Sequence, residues 1–78
     1  MKEDSERSRT ALRVVRLVKM MDYLSDHKKT TSSELAKEFD VSTRTIFRDL
    51  DLLENELNVP FISVEGSHIE VMSDWKFR

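Results

Sequence analysis

The sequence predicts a small α+β domain, mostly α, in which three helices precede a β-hairpin. Three observations carry this. Apolar residues recur at helical spacing in three separated segments. Capping residues stand at the head of the second and third segments. A run of alternating residues around the single glycine, "FISVEGSHIEVM", follows the last of them. A chain of 78 residues makes one domain at most. At this size the core is too small to surround a deep catalytic cavity. The absence of Cys excludes disulfides and thiolate metal sites. The start "MKEDSERSRT" lacks the apolar stretch of a signal peptide, and no apolar run approaches a membrane span.

The first helix is expected at about residues 8–26, after a flexible segment over 1–7. Leu17, Met21 and Leu24 fall at i, i+4 and i+7, and Val14 extends that face one turn earlier. Leu12, Val15 and Val18 are then left over. Arg9, Arg13 and Arg16 repeat on another face. Lys28 and Lys29 follow, where cations complement the dipole at a helix C-terminus.

The second helix opens at "TSSE". Thr31 as N-cap and Glu34 three residues on make a capping box. Leu35, Ala36 and Phe39 give it a short apolar face, and it ends near Phe39. The third helix is expected at about 43–57, capped by Ser42, whose hydroxyl can accept from a free first-turn amide. Ile46, Leu50, Leu53 and Leu57 form its core stripe. At ~100° per residue, Arg44, Arg48, Asp51 and Asn55 point the opposite way. The acids Asp49, Asp51, Glu54 and Glu56 crowd its later part, so only the first two turns suit an anion.

Gly66–Ser67 suits a two-residue type II′ turn. That turn would pair Glu65 with His68, Val64 with Ile69, Ser63 with Glu70 and Ile62 with Val71. Val64, Ile69, Ile62 and Val71 would then share the core face. Met20, Met21 and Met72 are also expected in the core. Residues 73–78 form a tail, in which Trp75 and Phe77 either mark an interface or pack on Phe61 and Met72.

Net charge is −2, which argues against a non-specific polycation. Its distribution is uneven: residues 1–29 hold 8 basic and 5 acidic groups, and residues 30–78 hold 5 and 10. Two helices joined by a short turn, the second with a capped start, describe a helix-turn-helix. Such a second helix reads base edges with its N-terminal residues, here Thr43, Arg44, Thr45, Phe47 and Arg48. Arginine matches guanine O6 and N7, while threonine or phenylalanine packs on a thymine methyl. Thr31, Ser32, Ser33 and Ser42 are candidate phosphate contacts through hydroxyls and free amides at helix starts. Arg9, Arg13 and Arg16 are candidates on the first helix.

The run "TSSELAKEFDVSTRTIFRDLDLLENELNVPF" resembles the winged helix-turn-helix at the N-terminus of DeoR-type and WYL-type bacterial transcription regulators. The likeness spans roughly residues 12–72 and rests on "ELA", "VS", "RTI-RDL" and "VPF". It implies a winged helix-turn-helix over residues 8–72 with a hairpin wing. Asp40 stands where that family usually has Gly, and Asp tolerates the left-handed conformation. The wing tip "VEGSHI" lacks Lys and Arg, which weakens the case for a wing–phosphate contact. The effector domain of the family lies beyond the likeness, so no ligand sensing is carried over.

The expected function is sequence-specific binding of double-stranded DNA by a cytoplasmic transcription regulator. Pairing as a homodimer is expected, and the tail is a candidate surface for a protein partner. The competing reading is a winged-helix module docking onto another regulator or onto RNA polymerase. A docking module has no need of "TRT-FR" opposite its core stripe. No nucleophile–base pair, phosphate loop or metal-ligand cluster points to an enzyme, a cofactor or a metal, and His27 and His68 stand far apart.

Overall fold

The computed structural model describes the backbone of residues 2–65 and 67–77, and side chains from residue 9 onward. Its elements run α1 (Lys2–Asp26), β1 (Lys29–Thr31), α2 (Ser32–Phe39), α3 (Thr43–Asn55), β2 (Phe61–Glu65) and β3 (His68–Val71). The expected α+β architecture, mostly α, is the one observed: a winged helix-turn-helix. The three strands form one antiparallel sheet in the order β1-β3-β2.

The core forms where helix stripes and sheet face meet. Met20 and Leu24 of α1, Leu35 of α2, and Ile46, Leu50 and Leu53 of α3 are buried together with Val59, Ile69 and Val71. Helix α1 begins at Lys2, ahead of the expected start at residue 8, and its first half runs past this core. That explains why Val14, expected inside, is 52% exposed. Met20 supplies the contact instead, because the buried face of α1 is centred on Leu17, Met20, Met21 and Leu24.

Helix α3 stops at Asn55 with Glu56 as its C-cap, two residues before the expected end. The amide of Leu57 donates back to the Leu52 carbonyl, and Asn58 adopts a positive φ of 56°. This turn sends the Leu57 side chain outward, at 47% exposure, and brings Val59 into the core in its place. The Val59 amide, donating to the Leu53 carbonyl at 2.9 Å, fixes the exchange.

In the hairpin, Glu65 opposes His68, Val64 opposes Ile69 and Ser63 opposes Glu70, as the sequence predicts. The turn itself rests on Gly66 and lies outside the described residues. The expected Ile62–Val71 pair is corrected by a bulge: Phe61 pairs with Val71 and Ile62 is the extra residue. A bulge shifts alternation by one, so Phe61 packs inward and Ile62 is 60% exposed. Met72, also expected in the core, is 45% exposed just past β3.

The strand β1 has no counterpart in the sequence reading. It pairs Thr30 with Ile69 and makes β3 the central strand. Lys28, expected at the helix dipole, instead places its Nζ over the Trp75 ring at 5.3 Å and donates to the Trp75 carbonyl. Trp75 packs on the core, and the Phe77 amide donates to Ser25 Oγ at 3.2 Å. The tail thus lies along the end of α1, and Trp75 meets the core.

Candidate nucleic-acid interface

The turn between α2 and α3 sets the candidate surface. Asp40 closes α2 in the left-handed region (φ 53°, ψ 49°), a conformation open to Asp. The Val41 amide donates to the Ala36 carbonyl at 3.0 Å, a bond that reverses the chain within three residues. Val41 packs against the core and anchors the turn. Ser42 then caps α3, its Oγ accepting from the Thr45 amide at 3.2 Å.

From that cap the side chains sort themselves by helical angle. Ile46, Asp49, Leu50 and Leu53 face inward and are buried. Thr43, Arg44, Phe47 and Arg48 are exposed, with Phe47 at 39%. Arg44 and Arg48 stand one turn apart on the face opposite the core. Thr45 differs from the others: it is half-buried, and its Oγ1 accepts from Ser42 Oγ at 3.2 Å. One turn further, Asn55 Nδ2 donates to Asp51 Oδ1 at 2.7 Å. Cationic and apolar groups therefore occupy the first two turns, and acid–amide pairing occupies the next.

The start of α2 is less open than its sequence implies. Thr31 Oγ1 accepts from the Glu34 amide at 3.0 Å, as an N-cap does, and donates to Glu34 Oε1 at 3.3 Å. Ser32 is buried, and its amide donates to the Ser67 carbonyl at 2.8 Å. Of the three hydroxyl residues, Ser33 alone is exposed. The Ser32–Ser67 bond also ties the hairpin tip to the start of α2.

Arg16 does not join an exposed stripe with Arg9 and Arg13. Its Nε donates to Asp49 Oδ2 at 2.5 Å and its Nη2 to Asp49 Oδ1 at 3.2 Å. Asp49 is fully buried, and Arg16 is one-fifth exposed. The hydrogen bond to Asp49 raises the Arg16 pKa further above its ordinary value, partly opposed by burial. A buried carboxylate requires a counter-charge, and Arg16 supplies it. By sequence Asp49 groups with Asp51, Glu54 and Glu56 in the later part of the helix. A helical wheel sets it beside Ile46 and Leu53, a signal that an arginine had to come from elsewhere. Arg9 and Arg13 are exposed as expected.

At the wing, Glu65 and His68 are exposed, and His68 Nε2 lies 3.5 Å from Glu70 Oε1. Among the described residues, no set of three His, Asp or Glu side chains is placed to hold a metal ion, and no helix is long and apolar enough to cross a membrane.

A buried three-helix body, a left-handed turn before a capped helix and a short wing together define a helix-turn-helix domain. The chain matches the family model for the HTH domain over residues 16–70, and it belongs to that family. It is 36% identical over 56 residues to an uncharacterized HTH-type transcriptional regulator, YobV, of Bacillus subtilis (strain 168). That match covers 72% of this chain and 18% of the relative's length. No solved structure matches the chain.

Proposed function

We propose that this chain is the DNA-reading module of a transcription regulator, of the DeoR/WYL kind that "VSTRTIFRDLDLL" resembles. The carrying observation is the open start of α3. Arg44, Arg48, Phe47 and Thr43 stand exposed together, on the first two turns, with the core stripe behind them. This end of the helix enters the major groove. Arg44 and Arg48 offer forked donors to guanine edges, and Phe47 and Thr43 offer apolar contact to thymine methyls. Thr45, turned toward the Ser42 cap, serves at the edge of this face.

Phosphate contacts hold the register without reading sequence. Ser33 and Ser42, with the amides of the first turn of α3, supply them near the recognition helix. Arg9 and Arg13 supply them from α1. Thr31, Ser32 and Arg16 are committed within the fold and have a supporting part. The module acts by occupying DNA and carries out no catalysis. The relative's printed description as a transcriptional regulator supports the same reading.

Arg44→Ala tests it. The substitution is expected to cost ~1–3 kcal/mol on a preferred duplex and to relax base preference at one position. Sites selected from random duplex DNA, followed by titration against selected and scrambled sequences, give the comparison. Equal loss on both duplexes would demote Arg44 to a phosphate contact. Absence of any duplex binding by the parent chain would overturn the proposal.

A further inference from the structure

The exposed stripe of α3 continues one turn past Arg48, to Asp51. At ~100° per residue, Asp51 falls between Phe47 and Arg48, opposite Ile46, Leu50 and Leu53. It is exposed, as are Arg44, Phe47 and Arg48. These residues stand at i, i+3, i+4 and i+7, the spacing with which a homeodomain helix reads the major groove. From Arg44 to Asp51 the helix advances ~10 Å, within the ~12 Å width of that groove. A carboxylate carried into the groove on this stripe meets either phosphates, which repel it, or base edges.

The carboxylate is held in place. Asn55 Nδ2 donates to Asp51 Oδ1 at 2.7 Å. Among the described residues Asp51 makes no other hydrogen bond or ion pair, so Oδ2 is open to an outside donor. Arg44 and Arg48 form no salt bridge among the described residues, so neither neutralises it.

We infer that Asp51 is a specificity-determining residue of α3, which selects a cytosine by accepting from its N4 amino group. This rests on the DNA-reading function proposed above. An ionised carboxylate only accepts hydrogen bonds. In the major groove guanine shows two acceptors, N7 and O6, and thymine shows the acceptor O4 beside its methyl. Adenine sets the acceptor N7 next to its N6 donor. Cytosine alone shows a donor and no acceptor. Asp51 therefore disfavours most edges and spares one, a repulsive element of the kind specificity needs. It lies three residues past Arg48, ~4.5 Å along the helix. Its cytosine is expected about one base-pair step, ~3.4 Å, from the guanine of Arg48. Asn55 is a positioning residue, which acts by restricting the orientation of Asp51.

Sites selected from random duplex DNA by the parent chain and by Arg48→Ala locate the guanine of Arg48. Duplexes that differ only at the neighbouring base pair are then titrated. The parent should prefer cytosine there over guanine or thymine by ~5-fold or more. Asp51→Ala should bring that ratio to within about 2-fold of unity, with thermal unfolding nearly unchanged because the side chain lies on the surface. Asp51→Asn should shift the preference toward adenine, whose N6 and N7 an amide matches. Asn55→Ala should lower the cytosine ratio by ~2-fold or more with binding to scrambled duplexes unchanged, and Asn55→Gln, which keeps an amide, should retain it. An Asp51→Ala variant that shifts all the duplexes by one common factor would overturn the inference, since repulsion of phosphate alone does that. So would a parent with no preference at this pair, or an Asp51→Asn variant that still selects cytosine as the parent does. An unchanged ratio in Asn55→Ala would overturn the positioning role. These outcomes leave the DNA-reading function standing, whereas a parent chain that binds no duplex removes both.

Discussion

Arg16 and Asp49 concentrate the fold's main polar commitment in one contact. The Asp49 carboxylate has no exposed surface, and both its oxygens accept from Arg16. A buried ion pair is only weakly stabilising against an apolar replacement, but breaking it from one side strands a charge. Arg16→Ala is therefore expected to cost ~3–5 kcal/mol, close to the whole stability of many small domains. Arg16→Met combined with Asp49→Leu should fall within ~2 kcal/mol of the parent, on either side. Arg16→Lys should lie between, since a lysine lacks the fork that engages both oxygens. Urea unfolding of the four proteins measures all of this. A cost below ~1 kcal/mol for Arg16→Ala would mean that water or another cation reaches Asp49. The contact also bears on binding, because Asp49 adjoins Arg48 in the chain and Arg16 belongs to α1. The pair fixes how α1 sits against α3.

Among the elements, the hairpin separates what alternation can and cannot reveal. Its far end follows the period of two, so Glu65–His68, Val64–Ile69 and Ser63–Glu70 are legible from residue type. The bulge at Ile62 is not, because inserting one residue depends on where Pro60 and Val59 leave α3. Ile62 looks like a core residue by type and is 60% exposed, while Ile69 on the central strand is fully buried. Ile62→Thr should change stability by less than ~0.5 kcal/mol, whereas Ile69→Ala should cost ~2–5 kcal/mol. Thermal or urea melts showing similar losses for both would contradict the bulge. The strand β1 carries no sequence signal for a related reason: three residues show no period, and their partner β3 lies some forty positions on. The same hairpin limits the interface. Glu65 and Glu70 give its tip acidic character, and no Lys or Arg offsets them. If the tip approaches DNA, Glu65→Lys should tighten binding and steepen its salt dependence by up to about one unit of slope. An unchanged slope would place the wing away from the duplex.

Across the whole molecule, the general plan was readable because helix stripes, caps and hairpin all agree. The misplacements come from tertiary geometry: Val14 projects past the core, Leu57 is displaced by Val59, and Arg16 is claimed by Asp49. The same geometry sets up the last prediction. One recognition helix reads only a few base pairs, and two half-sites are the usual route to useful specificity. Helix α1 is bound to α3 through Arg16 and Asp49, so two copies paired about a two-fold axis on the exposed Val15 face of α1 would hold their α3 helices in inverted orientation. Such a pair should favour inverted half-sites spaced near one helical turn, ~34 Å centre to centre. The gain should appear as cooperativity on DNA. Duplexes with one half-site, and with two inverted half-sites at graded spacing, provide the measurement. The second half-site should raise apparent affinity by ~10-fold or more at the best spacing, beyond the statistical factor. Val15→Arg should abolish that gain and leave single-site affinity unchanged. If the gain survives Val15→Arg, the coupling runs through another surface, and if direct repeats bind as well as inverted ones, the two chains are not related by a two-fold axis.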